Sequence, residues 1–91
     1  MVKRFPLAVG YATYTVIPVT KLDDDGECDF DNRIINVKKK LHHDAMRVTV
    51  WHEAVHGFCH ENGFDTLCKD EAFIEALAQW IMRVRTETPW L

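Results

Sequence analysis

One stretch, RVTVWHEAVHGFCHENG (residues 47–63), constrains this chain more than any other. His52 and His56 stand four positions apart, and Glu53 directly follows the first. On an α-helix, positions i and i+4 lie one above the other on the same face, so both imidazoles can address one metal ion. Glu53 lies about 100° further round the helix and reaches a water on that ion rather than the ion itself. This is the division of labour of a helical HExxH site: two nitrogen ligands, and a carboxylate as general base on a water whose pKa zinc lowers to about 7. The motif therefore demands a helix here, and the flanking sequence supplies one. Apolar residues recur at 48, 51, 55, 58 and 59, Asp44 is the expected N-cap, and Asn62-Gly63 is a stop signal, which predicts a helix over 44–61. Small Ala54 and Gly57 flank the ligands and permit close packing.

A catalytic zinc takes three protein ligands and keeps one position open. No histidine follows His60, and His60 itself has drifted a further turn along the axis. The acids of DEAFIEALAQW are the remaining source. Asp70 reads as the N-cap of a second helix over 71–86, with an apolar stripe of Phe73, Leu77, Trp80, Ile81 and Val84, and Pro89 cannot continue it. Glu71 and Glu75 stand one turn apart off that stripe. Fourteen residues separate His56 from Glu71 and eighteen separate it from Glu75. A helix folded back antiparallel would present either one to the metal. Glu75 is the expected ligand, with Glu71 orienting a histidine N–H from behind, or the two roles exchanged. Cys59, His60 and Cys68 do not form a four-ligand structural site, so free thiols are expected there.

The first half of the chain reads as sheet. YATYTVIPV (11–19) alternates and is rich in strand formers, RIINVK (33–38) is a second strand, and ECDF (27–30) is a short third. Pro18 marks an edge or a strand exit. KLDDDGECDFDN is turn-rich around Asp25-Gly26, and Asp23-Asp24-Asp25 reads as a solvated turn because the calcium-loop ligand pattern is absent. The fold class is thus α+β: a small antiparallel sheet over roughly 11–38, then the two helices. Ninety-one residues make one domain (1–91) with a single modest core, in which a bound metal would be a useful staple.

A formal charge of −3 argues against a nucleic-acid partner, and Lys38-Lys39-Lys40 reads as a solvated strand end. Three cysteines without regular spacing do not look like a secreted disulfide framework, so a reducing cytoplasm is expected. The N-terminal run is broken by Pro6 and Gly10, which argues against a signal peptide. No run approaches 18 apolar residues, so no membrane span is expected.

HEAVH, followed eighteen residues later by a helical EALA, resembles the gluzincin metallopeptidases. GECDFDNRIINV running through DAMRVTVWHEAVH is similar to the strand, connector and active-site helix of small phage-type and ImmA/IrrE-like zinc peptidases. The tail DEAFIEALAQWIMRVRTETPWL is similar to their closing helix. The resemblance covers about residues 26–91. It implies a zincin-like fold, Zn2+ held by His52, His56 and a downstream glutamate, Glu53 as catalytic base, and a peptide or protein substrate aligned on an edge strand. The chain departs from that family in size. It has no evident N-terminal helix and no C-terminal zinc ribbon of the SprT-like kind. It also has no obvious oxyanion donor, since His42, His43 and His60 read as ordinary surface histidines. The expectation is a zinc metallopeptidase. The alternatives are a zinc-stabilised, zincin-like binding module without activity, and a metal-free domain with a fortuitous motif.

Overall fold

The computed structural model describes residues 3–91. Four strands come first: β1 (Phe5–Val9), β2 (Ala12–Val19), β3 (Gly26–Asp29) and β4 (Ile34–Lys38). Helix α1 (His43–Glu61), a short 3-10 turn (Leu67–Lys69) and helix α2 (Glu71–Glu87) follow. The α+β class expected from the sequence is present. The expected antiparallel sheet over 11–38 is not: the sheet is mixed, starts at Phe5, and runs in the order β1-β2-β4-β3.

The mixed pairing has a physical cause. β3 and β4 form an antiparallel hairpin, but β4 rather than β3 docks on β2, and it does so in parallel, Thr15 beside Ile34 through Val19 beside Lys38. Ile35 and Val37 are fully buried, whereas Gly-Glu-Cys-Asp is a polar strand. The apolar strand takes the central place and the polar one the edge, which limits burial of unmatched groups. β1 lies outside the strands expected from the sequence and carries Pro6. It forms the opposite edge, where a proline is tolerated. Gly10, at φ +63°, makes the two-residue hairpin turn to β2 that needs a left-handed residue. Pro18 lies beyond the stretch of β2 that β1 covers, so its missing N–H breaks no pair with β1.

The sheet, α1 and α2 form three layers, with α1 in the middle. Met46, Val50 and Ala54 of α1 meet Tyr14, Val16, Ile35 and Val37 of the sheet. Val55 and Cys59 meet Ile74 of α2, with Leu77 and Ile81 beside them. Because α1 is covered on two sides, its buried set is not the single stripe of 48, 51, 55, 58 and 59 read from the sequence. Phe58 is exposed, while Val48 and Trp51 are only half-buried. Gly57 lets α1 approach closely: a Cβ there would stand 3.1 Å from Val9 Cγ1 and 3.2 Å from the Tyr14 ring. The stripe expected on α2 also shifts. Ile74 and Ala78 are buried, whereas Phe73 and Trp80 are exposed.

The helix ends follow local chemistry. Asp70 caps α2 as expected, Oδ1 accepting from Phe73 N at 3.0 Å, and Gly63 after α1 takes φ +75°. The N-cap of α1 is His42 rather than Asp44. Its Nδ1 accepts from Asp44 N at 3.4 Å, and the helix begins at His43. At the far end of α1, Glu61 accepts from Tyr14 Oη at 2.7 Å and from both Nε and Nη2 of Arg33 at 3.1 and 2.8 Å. These bonds fasten the helix end to the sheet and hold Arg33 at φ +53°.

Candidate metal centre

The two histidines of the motif project from successive turns of α1 with their ring centroids 5.0 Å apart. α2 crosses in front of them and supplies two carboxylates. Glu71 Oε2 lies 3.0 Å from His52 Nε2, and Glu71 Oε1 lies 3.1 Å from His56 Nε2. One ligand atom from each of His52, His56 and Glu71 falls within 4.8 Å of the others. Glu75, the acid preferred on sequence grounds, sits elsewhere on the same imidazole: its Oε1 is 2.8 Å from His52 Nδ1. The two acids thus take the exchanged positions, Glu71 in front and Glu75 behind.

The rotation of α2 explains this. By ordinary helix arithmetic, if Glu71 is at 0°, then Glu75 is at about 40°, Ile74 and Ala78 are at about −60° and −20°, and Phe73 and Trp80 are at about 200° and 180°. Burying Ile74 and Ala78 instead of Phe73 and Trp80 therefore swings both acids toward α1. Glu71 is in the first turn, level with His52 and His56. Glu75 is one turn further on, beside the Nδ1 edge of His52.

The donor set fits a divalent ion. With the ring proton on Nδ1, donated to Glu75, the Nε2 lone pair faces the Glu71 carboxylate. A lone pair and a carboxylate oxygen at 3.0 Å repel unless a proton or a cation lies between them. Zinc bonded to nitrogen and oxygen at ~2.0–2.1 Å in a tetrahedron separates its ligands by ~3.3 Å, close to the 3.0 and 3.1 Å found here. Gln79 Nε2 donates to Glu75 Oε2 at 3.0 Å, so Gln79, Glu75 and His52 form a hydrogen-bonded row. Burial pushes the Glu75 carboxyl up, but hydrogen bonds from Gln79 and His52 outweigh it and hold Glu75 below its ordinary value.

Glu53 lies in the same cleft, half-buried, next to Gly26 of β3. Burial pushes its carboxyl up to about 7. His52 opposes that rise, and Glu71, Asp24 and Glu27 add to it. The cleft, ≈ 960 Å³, opens between β3, the acidic turn before it, α1 and α2. Gly26 lets β3 pack closely on α1 at the cleft wall, since a Cβ there would meet Thr49 Cγ2 at 2.6 Å and Glu53 Cγ at 3.2 Å.

Other candidates lie apart from it. His60 stacks on Phe30 at 4.3 Å, His42 caps α1, and neither these nor His43 lines the cleft. Cys28, Cys59 and Cys68 are free thiols, as expected. Cys68 Sγ donates to His56 O at 3.4 Å. Cys28 lines the cleft with its thiol pushed up to about 12 by burial, with nearby carboxylates adding to the rise. Gln79 and Gly26 were not anticipated. Gln79 could have been found as the i+4 neighbour of Glu75, but Gly26 is a long-range contact with no local signal. Among the described residues, no helix is long and apolar enough to cross a membrane. Comparison with family models, curated proteins and solved structures finds no significant match, so the site stands on its own geometry.

Proposed function

We propose that this chain is a minimal zinc-dependent peptidase of zincin-like architecture. His52, His56 and Glu71 would hold the ion, Glu75 would orient His52, and Glu53 would be the general base. The carrying observation is the convergence of two Nε2 atoms and one carboxylate from separate helices, with a further acid from the same motif in one cleft. When bound, zinc supplies a water acidified to near neutrality and a Lewis acid for the scissile carbonyl. Glu53 takes the proton from the attacking water and delivers it to the leaving amine. Glu75, anchored by Gln79, keeps the His52 proton on Nδ1 and so keeps Nε2 free. The walls of the cleft bind the substrate and hold it against Glu53.

A second reading keeps the metal without hydrolysis, making the chain a zinc-stabilised binding module. One observation favours it: among the described residues, no tyrosine, arginine, lysine or third histidine lines the cleft to stabilise an oxyanion. Two measurements decide. Metal analysis of the purified chain should give one zinc per chain, none in His52→Ala, and one in Glu53→Gln. Equal zinc in wild type and His52→Ala would remove both readings. Peptide hydrolysis that is present in wild type and lost in Glu53→Gln supports the peptidase. Failure across a broad peptide library supports the module.

A further inference from the structure

We propose that the cleft selects positively charged peptide segments, with Asp24, Asp25, Glu27 and Asp44 reading lysine or arginine side chains. The inference rests on the reading of the cleft as a peptide site and adds the charge class of what enters it.

The distribution of charge carries it. The chain has fourteen aspartates and glutamates and eleven lysines and arginines. Seven of those acids and none of those bases line this one cleft. A nearly balanced chain has therefore been folded so that half its carboxylates face the same space. Three of the seven have tasks at the metal centre: Glu71 faces both Nε2 atoms, Glu75 holds Nδ1, and Glu53 adjoins His52. The other four have none. They come from three separate places, the turn before β3, β3 itself and the first turn of α1. Glu27 receives only a neutral hydrogen bond, from Asn36 Nδ2 at 3.0 Å. Among the described residues, the sole ion pair of the four is a loose one, Lys38 Nζ to Asp25 Oδ1 at 3.9 Å. Asp24 and Asp44 have no ion pair among the described residues. Carboxylates gathered on a concave wall raise the local concentration of cations and repel anions.

The backbone on the same wall argues for a peptide rather than a small cation. β3 is an edge strand, paired by β4 on one side only, and Gly26, Glu27 and Cys28 line the cleft. An extended segment can pair with such an edge while its alternate side chains meet the carboxylates.

The test uses three extended peptides that differ only at two positions, carrying lysine, glutamine or glutamate. Binding is read by fluorescence anisotropy on zinc-loaded Glu53→Gln, which prevents cutting, and on the chelated wild-type chain. Exposed ion pairs contribute about 1.5- to fivefold each, so, with two attractions gained and two repulsions avoided, the lysine peptide should bind at least about fivefold tighter than the glutamate peptide, with glutamine between. That gap should shrink severalfold at high salt. It should also shrink in Asp24→Asn/Asp44→Asn, whose zinc content stays at one per chain. Equal binding of the three peptides, no binding of any below about 1 mM, or an undiminished gap in the double variant would each overturn the inference. Its fate is separable from that of the peptidase. A lysine peptide bound selectively but never cut by the zinc-loaded wild type leaves the charge preference and removes the enzyme. Cutting without regard to charge does the reverse.

Discussion

The rotation of α2 about its own axis decides which acid meets the imidazoles, and a pair of truncations tests it. Ile74 is 0% exposed against Val55 and Cys59, whereas Trp80 is 63% exposed. Ile74→Ala removes three buried carbons. At about 0.8 kcal/mol per CH2, the lost transfer energy is about 2.4 kcal/mol, and the cavity left behind raises the cost to about 3–4 kcal/mol. Trp80→Ala removes a larger side chain that lies mostly in water and should cost under about 1 kcal/mol. A domain of this length has a total stability of only about 5–14 kcal/mol. Ile74→Ala should therefore lower Tm by about 12–32 °C and Trp80→Ala by a few degrees at most. The assay is thermal and urea unfolding followed by circular dichroism, in chelated buffer so that metal binding does not contribute. A Trp80→Ala loss equal to or larger than that of Ile74→Ala would mean that the stripe of Phe73 and Trp80 faces α1 after all. Glu71 and Glu75 would then point away from the histidines, and the candidate metal centre would lose its carboxylate.

Other outcomes follow from the same geometry. Glu71→Gln should abolish tight zinc binding, whereas Glu75→Gln should weaken it about 10- to 100-fold, both read by competition with a metallochromic chelator. The opposite order would restore Glu75 as the ligand. Gly26→Ala should destabilise the chain by about 1–3 kcal/mol because its Cβ meets Thr49 Cγ2, and Thr49→Ser, which removes that methyl, should recover part of the loss in urea unfolding. No recovery would mean that the strain lies elsewhere. Arg33 and Tyr14 hold the Glu61 carboxyl below its ordinary value. The unfolded chain then takes up the proton first as pH falls. The stability contributed is fully present above the unfolded value of about 4.3 and is lost as pH drops through the lower folded value. The Tm of wild type should fall more steeply than that of Glu61→Gln over that acidic range, and parallel curves would refute the linkage.

Some of this molecule can be read one segment at a time. The HExxH spacing places two imidazoles on one helical face wherever that helix sits, because 3.6 residues per turn is a local property. Asp70 caps its helix and Gly63 ends the other for equally local reasons. The alternation in Ala12–Val19 already shows which side chains face inward. Register between distant segments is another matter. That β4 rather than β3 lies on β2 depends on a comparison between strands, Ile35 and Val37 against a polar edge, which no window of sequence contains. The choice between Glu71 and Glu75 is of the same kind. Phe73 and Trp80 form the more conspicuous apolar stripe, yet Ile74 and Ala78 fit the surface that α1 presents, and close packing selects shape as well as hydrophobicity. The acidic turn at Asp24 and Asp25 is solvated, as its composition implies, but only the fold places it along the cleft. The spacing of a motif sets which atoms are able to converge, and the packing of the layers sets which of them do.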